Sequence, residues 1–369
     1  MGGGLFGKPK PAAPDAAPVK PLRYALIGAG SAARAHLRDI LGVRGVELVG
    51  IADPAPPQAW RIPRDHEAAP RFGDAQTMIQ RTSPDLVSVC TPTAFHCDLV
   101  LQALAGGAHV VCEKPMATTM AQAEAMEQAR QTAGRLGAVN FSCRNVGSFR
   151  AVRDLILSGT QGRVTRVNAV YLQGYLGDPR VPWSWRSDVA LAGFGALGDL
   201  GVHMIDSVRF LTGLEFRRVV ATAQTLIPEK TDAAGARRPV TTDSNAAFLA
   251  ELGGGVIATF ETSQVAAGYA DFFRLEICTE RGALTVNREH PDRVWHRLDG
   301  RQGPKTELRE RKLDAETLSR GPPSAVSAIV HAIRGETVAF PSFADGIATQ
   351  RVLAALRASI ETGAWAAVG

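Results

Sequence analysis

Two short segments hold the side chains best suited to chemistry in this sequence. They are Glu113-Lys114-Pro115 and GALGDLGVHMID at 195–206. Lys114 follows the apolar run HVVC and so should stand at the carboxyl end of a strand. An ammonium there can hydrogen-bond a substrate oxygen and stabilise the negative charge that develops on it. Pro115 biases Lys114 towards extended geometry and fixes the exit turn, a cis bond being one way to do so. Asp199, His203 and Asp206 fall at i, i+4 and i+7, the spacing of one helix face. Imidazole can take a hydroxyl proton near neutral pH. A carboxylate one turn earlier can orient the ring or bind a neighbouring hydroxyl, and Asp206 is expected to be structural. Glycine costs a helix interior about 1 kcal/mol relative to alanine. Gly198 and Gly201 are therefore expected to leave room where substrate comes close to the backbone.

A second constellation points to a nucleotide. GAGSAA at 28–33 fits G-x-G-x-x-[GA], with an apolar strand before it, a helix after it and Asp53 about 20 residues on. Gly28 permits the tight turn, Gly30 lets the backbone approach a pyrophosphate, and Ala33 keeps helix and strand close. Ser31 and Ala32 open the helix, whose free N–H groups and dipole favour phosphate. Asp53 can accept from a ribose diol and would repel a 2′-phosphate, so NAD is the expected cofactor. Arg61 and Arg64 soften that preference and leave NADP open. Thr91 and Pro92 end a further strand, where α/β sheets bind ligands. His96 opens the next helix and is expected to pack structurally or at the cofactor's edge.

These residues need a scaffold of alternating elements. Strand-like runs at 23–30, 46–53, 85–92 and 109–115 alternate with helical ones, with a weaker unit at 55–81 and a last strand at 138–142. The expectation is an α/β Rossmann domain with a parallel, doubly wound sheet over 22–143. From 144 to 369 strand-like segments follow one another with few helices. That predicts an α+β domain with a large, open, mostly antiparallel sheet for substrate binding and oligomerisation. Its C-terminal helices, at 324–334 and 344–362, could pack back on the first domain. Residues 1–21, rich in Gly, Ala and Pro, are expected to be a flexible tail.

Composition excludes little but is consistent. The 369 residues carry a net charge of +5 spread along the chain, which favours anionic cofactors over a nucleic-acid footprint. No apolar run approaches the roughly 20 residues of a membrane span, and no secretory signal is legible. The five cysteines form no CxxC pair, as suits reduced thiols in a cytoplasmic protein. No HxxxH or cysteine cluster calls for a metal.

GAGSAA, the ADP ending at Pro54, TPTAFH, CEKPMA and GALGDLGVHMID occur together in this order. With them the sequence resembles the glucose–fructose oxidoreductase / inositol dehydrogenase / rhizopine catabolism (Gfo/Idh/MocA) family. The resemblance runs from Leu22 to the C-terminus. It implies that Lys114, Asp199 and His203 are catalytic and bind substrate. It adds Arg144 on the substrate side, and Trp185 and Arg186 lining a sugar pocket. Glu113 and Lys114 should also border the cofactor. The activity implied is NAD(P)-dependent hydride transfer involving a secondary alcohol of a sugar, cyclitol or sugar derivative. Pairing through the second sheet into a homodimer or homotetramer is implied as well. An NAD-dependent glycoside-cleaving enzyme and a non-catalytic NAD or sugar sensor are the alternatives.

Overall fold

The computed structural model describes residues 21–63, 66, 68–297 and 308–369. Arg64 and the expected tail up to residue 20 lie outside the described residues.

The first half alternates as its apolar runs require: β1 (Leu22–Ile27), α1 (Ala33–Leu41), β2 (Val46–Ala52), β3 (Arg71–Phe72), α2 (Ala75–Thr82), β4 (Leu86–Val89), α3 (His96–Ala105), β5 (His109–Cys112), α4 (Met120–Ala133) and β6 (Gly137–Val139). The strands form one parallel sheet in the order β3-β2-β1-β4-β5-β6. β4 is buried along its whole length, as a strand covered on both faces must be. Helix starts are set by capping side chains: Asp74 accepts the Thr77 N–H and Thr119 the Gln122 N–H. The weak third unit is the short β3 followed by α2. The last strand ends at Val139, where the backbone turns into a 3₁₀ segment at Ser142–Asn145.

Beyond it come α5 (Gly147–Leu157), β7 (Val164–Leu172), α6 (Val189–Ala192), a π-helical turn (Leu197–Gly201), α7 (Val202–Thr212), β8 (Phe216–Gln224), β9 (Glu229–Thr231), β10 (Arg237–Pro239), β11 (Asn245–Leu252), β12 (Ile257–Ser263), β13 (Phe272–Thr279), β14 (Gly282–Asn287), β15 (Arg293–Arg297), β16 (Arg309–Lys312), α8 (Ala315–Ser319), α9 (Ala325–Ile333), α10 (Phe343–Thr362) and β17 (Ala366–Ala367). The large sheet runs β16-β15-β14-β13-β7-β12-β11-β8-β17. Only β7 and β12 pair in parallel; the other neighbours are antiparallel. Along β11, Ala246, Phe248, Ala250 and Leu252 face the core, while Leu249 faces out. Phe248 stacks on Phe260 of β12 at 4.2 Å. Helices α7 and α10 cover this inner face. Helix α9 packs Ala325, Val326, Ile329 and Val330 into one cluster with Leu22, Tyr24 and Leu37 of the first half.

The stretch Val189–Thr212 is, by length and composition, apolar enough to cross a membrane. Asp199, His203, Asp206 and Arg209 interrupt it too sparsely to prevent that. However, 78% of its apolar window is buried in the protein core.

Candidate active site

The glycine turn after β1 opens a cleft of about 790 Å³ that runs from Gly28, Gly30, Ser31 and Ala32, past Asp53, Thr91 and Pro92, to Glu113, Lys114, Trp185, Arg186 and Asp199. Gly28 has φ +91°, and a Cβ there would lie 2.7 Å from the Cys90 carbonyl oxygen. Only glycine fits that turn. Gly30 has open space where its Cβ would be. Helix α1 starts with no side-chain cap, so its first N–H groups remain free for a phosphate. Asp53 is aimed by two backbone donors, Ala29 N–H at 2.7 Å and Ala55 N–H at 2.8 Å. A carboxylate oxygen can accept more than one bond, so a ribose diol remains within its capacity. The cradle fits a dinucleotide. Arg61 is exposed, with its backbone N–H on Ala29.

At the far end the Lys114–Pro115 bond is cis. Lys114 Nζ donates to Asp199 Oδ1 at 2.7 Å and to the Asp199 carbonyl at 2.8 Å. Gln264 Nε2 donates to Asp199 Oδ2 at 2.8 Å, and Arg186 stands 3.9 Å from the same oxygen. Burial works against the charged carboxylate, but Lys114 and Arg186 hold Asp199 well below the usual carboxylate range. Arg186 also stacks over the Trp185 ring at 4.4 Å.

The helix expected around these residues is not regular. Residues 197–201 form a π-helical turn, wider than an α turn, before α7 begins. The i, i+4 argument therefore fails locally. Asp199 turns to Lys114 and Gln264 and makes no hydrogen bond to His203. His203 is 5% exposed, lies off the cleft lining, and has a buried Nδ1 without a partner among the described residues. Its ring centroid is 6.1 Å from that of Tyr171. Burial, with Lys114 and Arg288 adding to it, pushes the His203 pKa well down and keeps the ring neutral.

The glycines also need another reading. A Cβ on Gly195 would come within 1.8 Å of the Asp243 carbonyl oxygen, and Asp243 caps this helix through the N–H groups of Gly195 and Leu197. Gly198 does line the cleft, but a Cβ there would meet Phe194 at 2.7 Å, and Gly201 has only ordinary contacts. Close protein packing accounts for Gly195 and Gly198, and both also line the cleft.

Arg144 departs from its expected substrate role. Its guanidinium forks onto Asp206 at 2.9 and 2.6 Å and reaches Asp345 at 2.9 Å, away from the cleft lining. With two carboxylates filling the fork, it ties α7 to α10. Asp206 is fully buried beneath it. His96 likewise turns from the cofactor. It is 1% exposed, with both ring nitrogens beside backbone carbonyls, Nδ1 3.1 Å from Pro115 O and Nε2 2.9 Å from Thr91 O, and the neutral ring donates to one of the two. It clamps the two strand-end loops together.

Sequence reasoning missed three partners. Gln264 follows β12, 65 residues from Asp199, and nothing local marks it. His36 on α1 lies 2.9 Å from Glu113 Oε1, and Asn140 donates to the same oxygen at 2.7 Å. Against the cost of burial, His36 and then Lys114 and Asn140 hold Glu113 ionised, at about 2. Periodicity would call His36 a plain buried helix residue. Among the described residues no group of three His, Cys, Asp or Glu side chains could hold a metal ion. The five thiols are free, four of them buried.

A glycine-turn cleft at the carboxyl edge of a six-stranded parallel sheet, joined to a nine-stranded mixed sheet, defines a Rossmann-type dinucleotide-binding oxidoreductase architecture. Residues 22–141 match the oxidoreductase family, NAD-binding Rossmann fold, and residues 149–285 match the GFO/IDH/MocA C-terminal domain. The chain belongs to this family, and its first domain binds NAD. The levoglucosan dehydrogenase of Pseudarthrobacter phenanthrenivorans is 32% identical over 247 residues, 62% of this chain and 63% of that protein. The chain thus aligns with a little under two thirds of that curated relative. An oxidoreductase domain protein from Kribbella flavida superposes with a TM-score of 0.84 at 30% identity, over 95% of this chain and 100% of that one. Levoglucosan dehydrogenase in complex with NADH and levoglucosan superposes with a TM-score of 0.83 at 25% identity, over 94% of this chain and 99% of that one.

Proposed function

We propose that the protein is an NAD-dependent dehydrogenase or reductase acting on a secondary alcohol of a sugar, cyclitol or sugar derivative. The observation that carries this is the Lys114–Asp199 pair, fixed where the cofactor cleft meets Trp185, Arg186 and Gln264. Bound NAD supplies the hydride-accepting ring. Lys114, with two of its three N–H donors on Asp199, directs the third at the substrate oxygen. There it stabilises alkoxide-like charge as the proton leaves. His203 lies behind the cleft lining but close enough to Lys114 to feel its charge; held neutral, it is the base we assign to that proton. Asp199 acts as a counter-ion and keeps the ammonium aimed. Trp185 and Arg186 wall the sugar side, which orients the reacting carbon. The names of the relatives, levoglucosan dehydrogenase and inositol 2-dehydrogenase, are in keeping with a polyol substrate.

The same reading extends to assembly and compartment. Leu249 and Ile257, exposed on the outer face of the large sheet, support a homodimer or homotetramer formed through that face. Dispersed charge and free, mostly buried thiols support a cytoplasmic protein with small-molecule partners, not nucleic acid or membrane.

The test is a panel of sugars and polyols assayed with NAD and NADP at the NADH absorbance band. Net NADH formation on at least one of them is the expected result. Sugar release without net NADH would instead mark a glycoside-cleaving enzyme, and ligand binding with no turnover across the panel a sensor.

A further inference from the structure

Gln264 is 2% exposed, yet it lines the cleft. Its backbone is pinned on both sides: its N–H donates to Ser244 O at 2.9 Å, and its carbonyl accepts from Leu176 N–H at 3.1 Å. The amide head is therefore delivered to one place. An ionised carboxylate only accepts hydrogen bonds, so the face towards Asp199 Oδ2 must be the Nε2 side, at 2.8 Å. That chemistry settles the orientation of the amide, which leaves Oε1 turned away from Asp199. Among the described residues Oε1 has no hydrogen-bond partner, and it is not one of the buried atoms left without one. One carboxylate thus bridges two groups that each keep an unused function: a third ammonium N–H on Lys114 and the acceptor Oε1 on Gln264.

A donor and an acceptor anchored through the two oxygens of one carboxylate suit a pair of adjacent hydroxyls. The hydroxyl to be oxidised accepts from Lys114, and its neighbour donates to Gln264.

We propose that Gln264 is both a positioning and a specificity-determining residue. Its Nε2 locks Asp199 onto Lys114, and its Oε1 accepts from the hydroxyl next to the one oxidised, so that the protein selects vicinal diols. This rests on the dehydrogenase reading above. A site built to pair a hydroxyl rejects the analogue that lacks it, because its own polar group is left unpaired.

The experiment uses D-glucose and levoglucosan with NAD, each beside analogues singly deoxygenated at every ring hydroxyl. Three proteins are compared: wild type, Gln264→Met and Gln264→Glu. Wild type should lose about tenfold or more in kcat/KM, about 1.4 kcal/mol, on the analogue lacking the neighbouring hydroxyl. Gln264→Met, which loses both functions, should lose at least that factor on the full substrate and lose nothing further on that analogue. Gln264→Glu keeps an acceptor but sets a second carboxylate against Asp199. It should lose kcat while keeping the discrimination between substrate and analogue, a split that a purely structural role would not produce. Penalties that multiply in Gln264→Met, or a wild type indifferent to every deoxygenation, would overturn the inference. The wild-type comparison decides even if both variants fail to fold. If wild type turns over none of the panel, the dehydrogenase reading fails and the inference falls with it. If it does and Gln264→Met discriminates like wild type, only the inference fails.

Discussion

Lys114 and Asp199, 85 residues apart in sequence, are joined twice: the ammonium donates to the carboxylate and to the backbone carbonyl of the same residue. These two hydrogen bonds fix the position and the direction of the Lys114 ammonium. Replacing it should therefore remove transition-state stabilisation without disturbing the glycine cradle at the other end of the cleft. For Lys114→Ala we expect kcat to fall by about 10²–10³-fold, with NADH binding retained in a fluorescence titration. Near wild-type turnover in that variant would sink the mechanism.

Arg144 gives a prediction of the opposite kind. Its partner Asp206 is fully buried, and burial already raises the Asp206 pKa against the pull of Arg144. Removing one member of a buried pair strands the other, at a cost of about 3–5 kcal/mol. Arg144→Leu should lower the urea midpoint accordingly and leave KM for the sugar unchanged. A raised KM with intact stability would restore the substrate role that the sequence suggested.

These two residues show what was legible in the sequence. Gly28, Asp53 and Lys114 are set by rules local to a strand end, so spacing alone places them. The order of the apolar runs likewise implies the parallel sheet. Arg144, Gln264 and His36 take their meaning from residues brought close only by tertiary packing: Asp345 on α10, Asp199 from another element, Glu113 at the end of β5. Nothing in the windows around them carries that information. The π-helical turn at Leu197–Gly201 is a subtler loss. A 3.6-residue period had stacked Asp199 beneath His203, and one wide turn sends the carboxylate elsewhere.

Asp53 should govern cofactor choice. Two backbone N–H groups hold its carboxylate at the cleft wall, where a 2′-phosphate would meet like charge. Asp53→Ser should raise the ratio of kcat/KM for NADP to that for NAD by about tenfold, the factor that corresponds to about 1.4 kcal/mol. An unchanged ratio would mean that another group reads the ribose.

His203 makes stability depend on pH in a direction that can be worked out. Burial first, then Lys114 and Arg288, lower its pKa; Asp199 and Glu113 oppose them. The unfolded chain binds the proton near the ordinary value of 6.5 and the folded chain does not. Unfolding therefore takes up a proton as pH falls below that value, and stability present above it is lost on acidification. His203→Gln should flatten the decline in unfolding free energy below pH 6.5, measured by urea titrations at several pH values. His96 and His109, also shifted down, contribute equally to both proteins and cancel in the comparison. Parallel curves for the two proteins would show that His203 is not held neutral.

The glycines of GALGDLGVHMID can be separated experimentally. At Gly195 a methyl would overlap the Asp243 carbonyl at 1.8 Å and displace the carboxylate that caps Gly195 and Leu197. Overpacking of this kind costs about 1–3 kcal/mol or more, and the lost cap adds about 1 kcal/mol. At Gly201 the backbone is helical and a Cβ would meet Leu197 only at 3.5 Å. Alanine there should be neutral or stabilise by up to about 1 kcal/mol. Thermal melts of Gly195→Ala and Gly201→Ala should thus move apart, the first well below wild type and the second at or above it. Turnover of Gly201→Ala should stay unchanged, because no substrate needs the space. If instead Gly201→Ala keeps its stability and loses activity, the room beside that residue belongs to the substrate after all.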